Sequence, residues 1–175
     1  YKRQSSSWQA LNDVMTWARG EGIDLVLFTY PYHAQLLEAF DRAGLWPAFE
    51  MWKKDVLGPS KVHGFVFWDF SLYRPETMEM VPKKGDHQSQ MEWFWEAGHF
   101  KAELGEKMLQ QMAGEPDRFW GVELNVNRID QHLLDERAAL LKYRDAHPED
   151  ARRIAQALDQ FSDLARKSTS DAAME

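Results

Sequence analysis

Two short, almost wholly apolar runs constrain this chain more than any other feature. Residues 23–30 read Ile-Asp-Leu-Val-Leu-Phe-Thr-Tyr and stop at Pro31; residues 62–70 read Val-His-Gly-Phe-Val-Phe-Trp-Asp-Phe. Neither alternates polar with apolar, so each has the pattern of a strand buried on both faces of a parallel sheet. The surrounding sequence agrees. Residues 8–20 set Trp8, Leu11, Val14 or Met15 and Ala18 on one helical stripe, ended by Gly20 and Gly22. Residues 34–43 make a second helix closed by Gly44. Pro47 opens a third, with Phe49, Trp52 and Val56 facing inward and Gly58 as its stop. Helices alternating with buried strands predict an α/β layered fold, a partial parallel sheet flanked by helices. Two strands are few for a sheet, so the chain is expected to be a piece of a longer domain.

In such sheets ligands gather beyond the carboxyl ends of the strands. Three loops are expected on that edge: Pro31-Tyr32-His33, Asp69-Phe70-Ser71, and the segment from Glu96 to His99. The character changes after Gly121. Asn125 or Asn127 is placed to cap a long helix through about Asp145, and Pro148 starts another with Ala151, Ile154, Leu158, Phe161 and Ala165 as its stripe. That stripe needs a partner, and an antiparallel helical hairpin over residues 122–168 provides one. Residues 1–121 form the α/β part, and 169–175 a fraying tail.

Composition removes several function classes. The net charge is −7 and spread over both halves, with no basic patch carrying interleaved aromatics, so nucleic acid is not an expected partner. No apolar run reaches the ~18 residues of a membrane span. Cysteine is absent, which excludes disulfides, thiolate metal sites and a cysteine nucleophile. Eight tryptophans are heavy usage for 175 residues. Indoles serve packing first, and also interfaces and carbohydrate-facing surfaces.

The chemistry concentrates in Trp95-Glu96-Ala97-Gly98-His99-Phe100. An imidazole that moves protons needs a carboxylate within reach to fix its tautomer and stabilise the imidazolium. An acid three residues ahead of a histidine supplies both groups, here between a polar loop and a helix-like run at 101–113. The plainer alternatives stay open: His99 as a helix cap, Glu96 as a solvated acid, Tyr32 and His33 as a simple turn after Pro31. Asp69, closing the second strand, is expected to brace the next loop. Glu92, Glu96, His99 and Glu103 fall at helical steps, but a carboxylate-bridged metal bundle needs paired Glu-x-x-His units, and one is present. Neither a metal nor another cofactor is expected.

The order of 24–32, then Val66-Phe67-Trp68-Asp69-Phe70, then Glu96-Ala97-Gly98-His99-Phe100, resembles the C-terminal half of SGNH (GDSL-like) hydrolases. The bacterial members that act in cell-envelope polysaccharide and acyl-transfer systems are the most similar. The resemblance covers roughly residues 23–112. It implies a three-layer, flavodoxin-like α/β fold in which His99 is the general base and Glu96 orients it. The family has aspartate at that position, so Glu96 departs by one methylene. Tyr32 and His33 would line the substrate cleft. The family's serine nucleophile and its glycine and asparagine oxyanion donors have no counterpart here, and Ser5, Ser6 and Ser7 precede a helix rather than follow a strand. The implied function is therefore the C-terminal half of a serine esterase or O-acyltransferase acting on acylated carbohydrate or cell-envelope polysaccharide, inactive as an isolated fragment. An envelope protein docking on the C-terminal helices, and a location in the periplasm or cell envelope, follow from the resemblance alone. A non-catalytic interaction module or a pseudoenzyme is the alternative.

Overall fold

The computed structural model describes residues 6–83, 85–86, 88–115 and 120–172, with the side chains of 162 and 164–172 excepted. The parallel pair expected from the two apolar runs is present. Strand β1 (Val26–Phe28) lies beside β2 (Val66–Asp69), with Val26 opposite Val66, Leu27 opposite Phe67 and Phe28 opposite Trp68. A short third strand, β5 (Val122–Glu123), joins the far side of β2 in the antiparallel sense, Val122 against Asp69. The sheet is therefore mixed, in the order β1-β2-β5. A separate two-stranded hairpin is made by β3 (Phe94–Glu96) and β4 (His99–Phe100).

Among the described residues, six helices surround these strands: α1 (Ser6–Gly20), α2 (Ala34–Arg42), α3 (Trp46–His63), α4 (Ala102–Met112), α5 (Ile129–Ala146) and α6 (Pro148–Ala172). Alternation along the strands decides which layer each side chain meets. Leu27 and Phe67 enter one core with Val56 and Leu57 of α3, Ile129 and Leu133 of α5, and Trp8 and Leu11 of α1. Trp68 turns to the opposite layer, where Phe70, Phe94, Leu104, Met108 and Trp120 cluster. That second layer covers β2 more completely than β1. Val26 and Phe28 stay 43% and 45% exposed, so β1 is not a strand buried on both faces.

The third helix also departs from its expected end. It runs through Gly58 and Pro59 and stops at Gly64, whose φ of 78° supplies the left-handed cap. A glycine and an interior proline together cost a helix several kcal/mol, about 1 and about 3 relative to alanine. Burial of Val56, Leu57 and Ser60 against the sheet offsets that cost, and Ser60 Oγ donates to the Leu57 carbonyl (2.9 Å) just where proline disturbs the ladder. Neither expected asparagine caps α5. Asn125 instead closes a turn before the helix by accepting from the Asn127 amide (2.9 Å).

Besides its apolar core residues, α5 is fixed to the α/β part by charge. Glu38 of α2, with no side-chain exposure, accepts from Arg42 Nε (2.6 Å) and from Arg144 Nε of α5 (2.9 Å). A buried carboxylate shared by two guanidinium groups is a costly arrangement to break. No described helix is long and apolar enough to cross a membrane.

Candidate active site

The spacing of Glu96 and His99 has a local cause. They flank the Ala97-Gly98 turn of the β3–β4 hairpin, and the register sets them directly opposite each other. Cross-strand partners have Cβ atoms about 5 Å apart, close enough for a glutamate to meet an imidazole. Two-residue hairpins usually use turns with positive φ, yet neither Ala97 nor Gly98 has one. The Glu96 carboxylate closes the turn instead: Oε2 accepts from the Gly98 amide (2.8 Å), and Oε1 meets His99 Nδ1. The Gly98 amide, and after it the His99 ring, hold the Glu96 carboxyl below the usual carboxylate range. With Nδ1 committed to the acid, Nε2 is the nitrogen left for proton transfer. Both side chains are open to solvent, His99 76% and Glu96 58% exposed.

The hairpin is seated by another carboxylate. Glu79 accepts from the backbone amides of Glu92, Trp93 (2.8 Å) and Phe94 (2.9 Å). Its own carbonyl accepts from His33 Nε2 (2.9 Å). His33 caps α2, receiving the Gln35 amide at Nδ1 (3.2 Å). Partners on both nitrogens define the neutral Nε2-protonated tautomer, and burial pushes the pKa of this ring down. His33 is thus 1% exposed and fully hydrogen-bonded, and it bears on the site through its backbone: its amide donates to the Ala97 carbonyl in the hairpin turn (3.0 Å). Tyr32 is half-buried between the rings of Tyr30 (5.4 Å) and Phe40 (5.6 Å).

The three loops do meet. Tyr30 stacks obliquely on Phe100 of the hairpin at 4.7 Å, and Ser71 Oγ donates to the Tyr30 carbonyl (2.5 Å). The dyad therefore stands beside the segment that leaves the carboxyl end of β1. Glu92, Glu96, His99 and Glu103 share no helix, because the first three belong to the hairpin region and only Glu103 to α4. Among the described residues no group of three or more histidines and acids is placed to hold a metal ion.

A second acid–histidine pair lies at the end of β2, and sequence reading found only one member of it. Asp69 is fully buried. Its Oδ1 accepts from Thr29 Oγ1 (2.7 Å) and the Ser71 amide (3.1 Å), and its Oδ2 from Lys53 Nζ (2.6 Å) and His132 Nε2 (2.8 Å). Burial alone would raise this carboxyl; the Lys53 ammonium and the His132 hydrogen bond outweigh it and hold the group at about 2. Lys53 was legible in principle, because it interrupts an apolar stripe that runs from Phe49 to Val56 and Leu57. Nothing local marks His132. Its partner lies 63 residues away in sequence.

Compared with protein-family models, curated proteins and solved structures, this chain finds no match.

Proposed function

We propose that this chain carries the histidine–carboxylate half of a serine esterase or O-acyltransferase acting on acylated carbohydrate or cell-envelope polysaccharide. The serine comes from polypeptide outside it. The observation that carries the reading is the Glu96–His99 pair, which a hairpin holds in contact through Nδ1 while leaving both groups accessible. Exposure leaves the imidazole within reach of a substrate, and a carboxylate at Nδ1 leaves Nε2 for proton transfer.

In this reading His99 Nε2 takes the proton of the serine hydroxyl as its oxygen attacks the acyl carbonyl, and Glu96 stabilises the imidazolium through Nδ1. The tetrahedral intermediate then expels the sugar alkoxide, which takes the proton from Nε2, leaving an acyl-serine. Water completes a hydrolase cycle, and a second sugar hydroxyl completes a transferase cycle. Ser71 does not fill the nucleophile's place, because it is 1% exposed and its hydroxyl is committed to the Tyr30 carbonyl.

The test is the intact mass of the full gene product after a fluorophosphonate serine probe, beside its His99→Ala variant. Stoichiometric labelling lost in the variant supports the reading. Labelling that survives in His99→Ala, or none in the parent protein, removes it.

A further inference from the structure

A groove of about 620 Å³ opens beside the hairpin, with Ala97 and Glu96, the acid of the dyad, in its wall. Three observations within it point to a ligand. The first is Trp95. The hairpin register slips between Phe94 and Glu96, so Trp95 is the extra residue of a β-bulge. Bulges re-aim side chains, and they recur beside functional sites. This one delivers an indole into the groove lining at 72% exposure, on a residue adjacent to Glu96. The second is Gln35, a half-buried residue of the same groove whose carboxamide nitrogen is itself shielded from solvent and finds no hydrogen-bond partner among the described residues, so that a change of rotamer is what presents this donor to the groove. Buried donors are almost always paired, so one left open at a groove wall marks a place for an acceptor. The third is the charge of the rim. Asp86 and Glu96 contribute carboxylates, while the Lys101 ammonium is already engaged by the Met91 carbonyl and stands 4.9 Å from the Trp95 ring centroid.

We propose that this groove is a subsite for a neutral sugar ring, stacked on Trp95 and accepting a hydrogen bond from the Gln35 carboxamide. The proposal rests on the reading of the dyad for its link to catalysis, but not for the binding itself. An indole face is electron-rich, and the weakly positive C–H face of a pyranose complements it. Lys101 occupies a position over that ring system and helps to fix it. An alkyl chain is the poorer occupant: Met91 and Phe94 are 7% and 1% exposed, the half-buried Val81, Pro82 and Ala97 offer only small apolar surfaces beside the indole, and Gln35, Asp86, Ser89, Gln90 and Glu96 border them with polar groups. An acidic sugar meets two carboxylates and a cation that is already spoken for.

The experiment is saturation-transfer NMR on this chain with xylotetraose and chitotetraose as neutral probes, tetragalacturonate as the acidic one and octanoate as the alkyl one. Affinities come from titration of the Trp95 indole resonance, assigned with Trp95→Phe. At least one neutral tetrasaccharide is expected to bind, at least ten-fold more weakly to Trp95→Ala and several-fold more weakly to Gln35→Leu. Trp95→Phe is expected to retain part of the affinity, which separates loss of the stacking face from misfolding. Binding of octanoate or tetragalacturonate alone overturns the proposal, as does neutral-sugar binding that Trp95→Ala leaves intact, or no binding by any probe. None of these readouts involves a nucleophile, so failure here leaves the dyad reading to its own labelling test.

Discussion

The protein sets an acid against a histidine twice, in opposite surroundings. At the end of β2, Asp69 meets Lys53 with essentially no solvent, and His132, 11% exposed, joins them from the edge of a groove. On the hairpin, Glu96 meets His99 with both side chains largely in water. The buried cluster is locked by charge, since removing Asp69 or Lys53 strands the other as a desolvated ion. The exposed pair contributes little to stability, because water screens it and solvates either partner left alone. What the exposed pair has instead is access. A carboxylate–histidine contact is thus part of a brace in one region and, in the proposed reading, a proton-transfer device in the other, and the two differ in burial.

The sharpest way to break this contrast is to remove one partner of the buried pair. Asp69→Ala or Lys53→Met is expected to cost about 3–5 kcal/mol in urea unfolding, and the Lys53→Met/Asp69→Leu double variant less than the sum of its parts. A loss below about 1 kcal/mol for either single change would show that water reaches the cluster and that the contrast is wrong. The strand that closes the cluster gives the next effect. A Cβ at Gly121 would lie 2.2 Å from the Phe70 ring, beside the Val122–Asp69 pairing. Gly121→Ala is expected to cost about 3 kcal/mol, at the upper end of ordinary overpacking. A thermal midpoint unchanged in the variant would mean that β5 slides without penalty.

Acid titration sharpens the comparison from another side. Lys53 and His132 hold the Asp69 carboxyl at about 2 in the folded protein, well below the ordinary aspartate range. A depressed carboxyl stabilises the fold above its unfolded pKa and loses that contribution as pH falls through the folded value. Stability on the order of 2 kcal/mol should therefore disappear between about pH 4 and pH 2, and this acid-dependent step should be absent in Asp69→Asn. Burial raises Glu136 instead, so its contribution has the opposite sign and is greatest below its unfolded pKa, fading as pH rises from there towards the folded value. An Asp69→Asn variant with an unaltered acid limb would remove the cluster's claim to ionic locking.

The smallest effect on stability belongs to the dyad. Glu96→Gln and His99→Ala are each expected to change unfolding free energy by less than about 0.5 kcal/mol, as exposed pairs do. By NMR the Glu96 carboxyl should titrate below the ordinary glutamate range, and in His99→Ala it should recover only in part, because the Gly98 amide still donates to it. Full recovery would mean that the histidine, and not the turn, holds the carboxylate. A large stability loss in either variant would make the dyad a second brace and undercut its proposed chemistry.

Much of the architecture was legible from local pattern. Helical periodicity gave α1 with Met15 and Ala18 buried, and the two apolar runs gave the parallel pairing of β1 with β2. The Glu96-to-His99 spacing pointed to a turn holding both groups, although a hairpin rather than a strand-to-helix loop supplies it. These features depend on residues a few positions apart, and such spacing is written directly in the chain. Other features depend on contacts between distant segments. The antiparallel arrival of β5, the passage of α3 through Gly58 and Pro59, and the exposure of Val26 and Phe28 all follow from what packs on what. The assignment of roles belongs to the same class. His33 and His99 look alike in sequence, each following an apolar or aromatic segment, yet one is sealed as a helix cap and the other stands in water. Sequence determined which residue types could do chemistry; tertiary packing, by granting or withholding solvent, decided which of them are placed to do it.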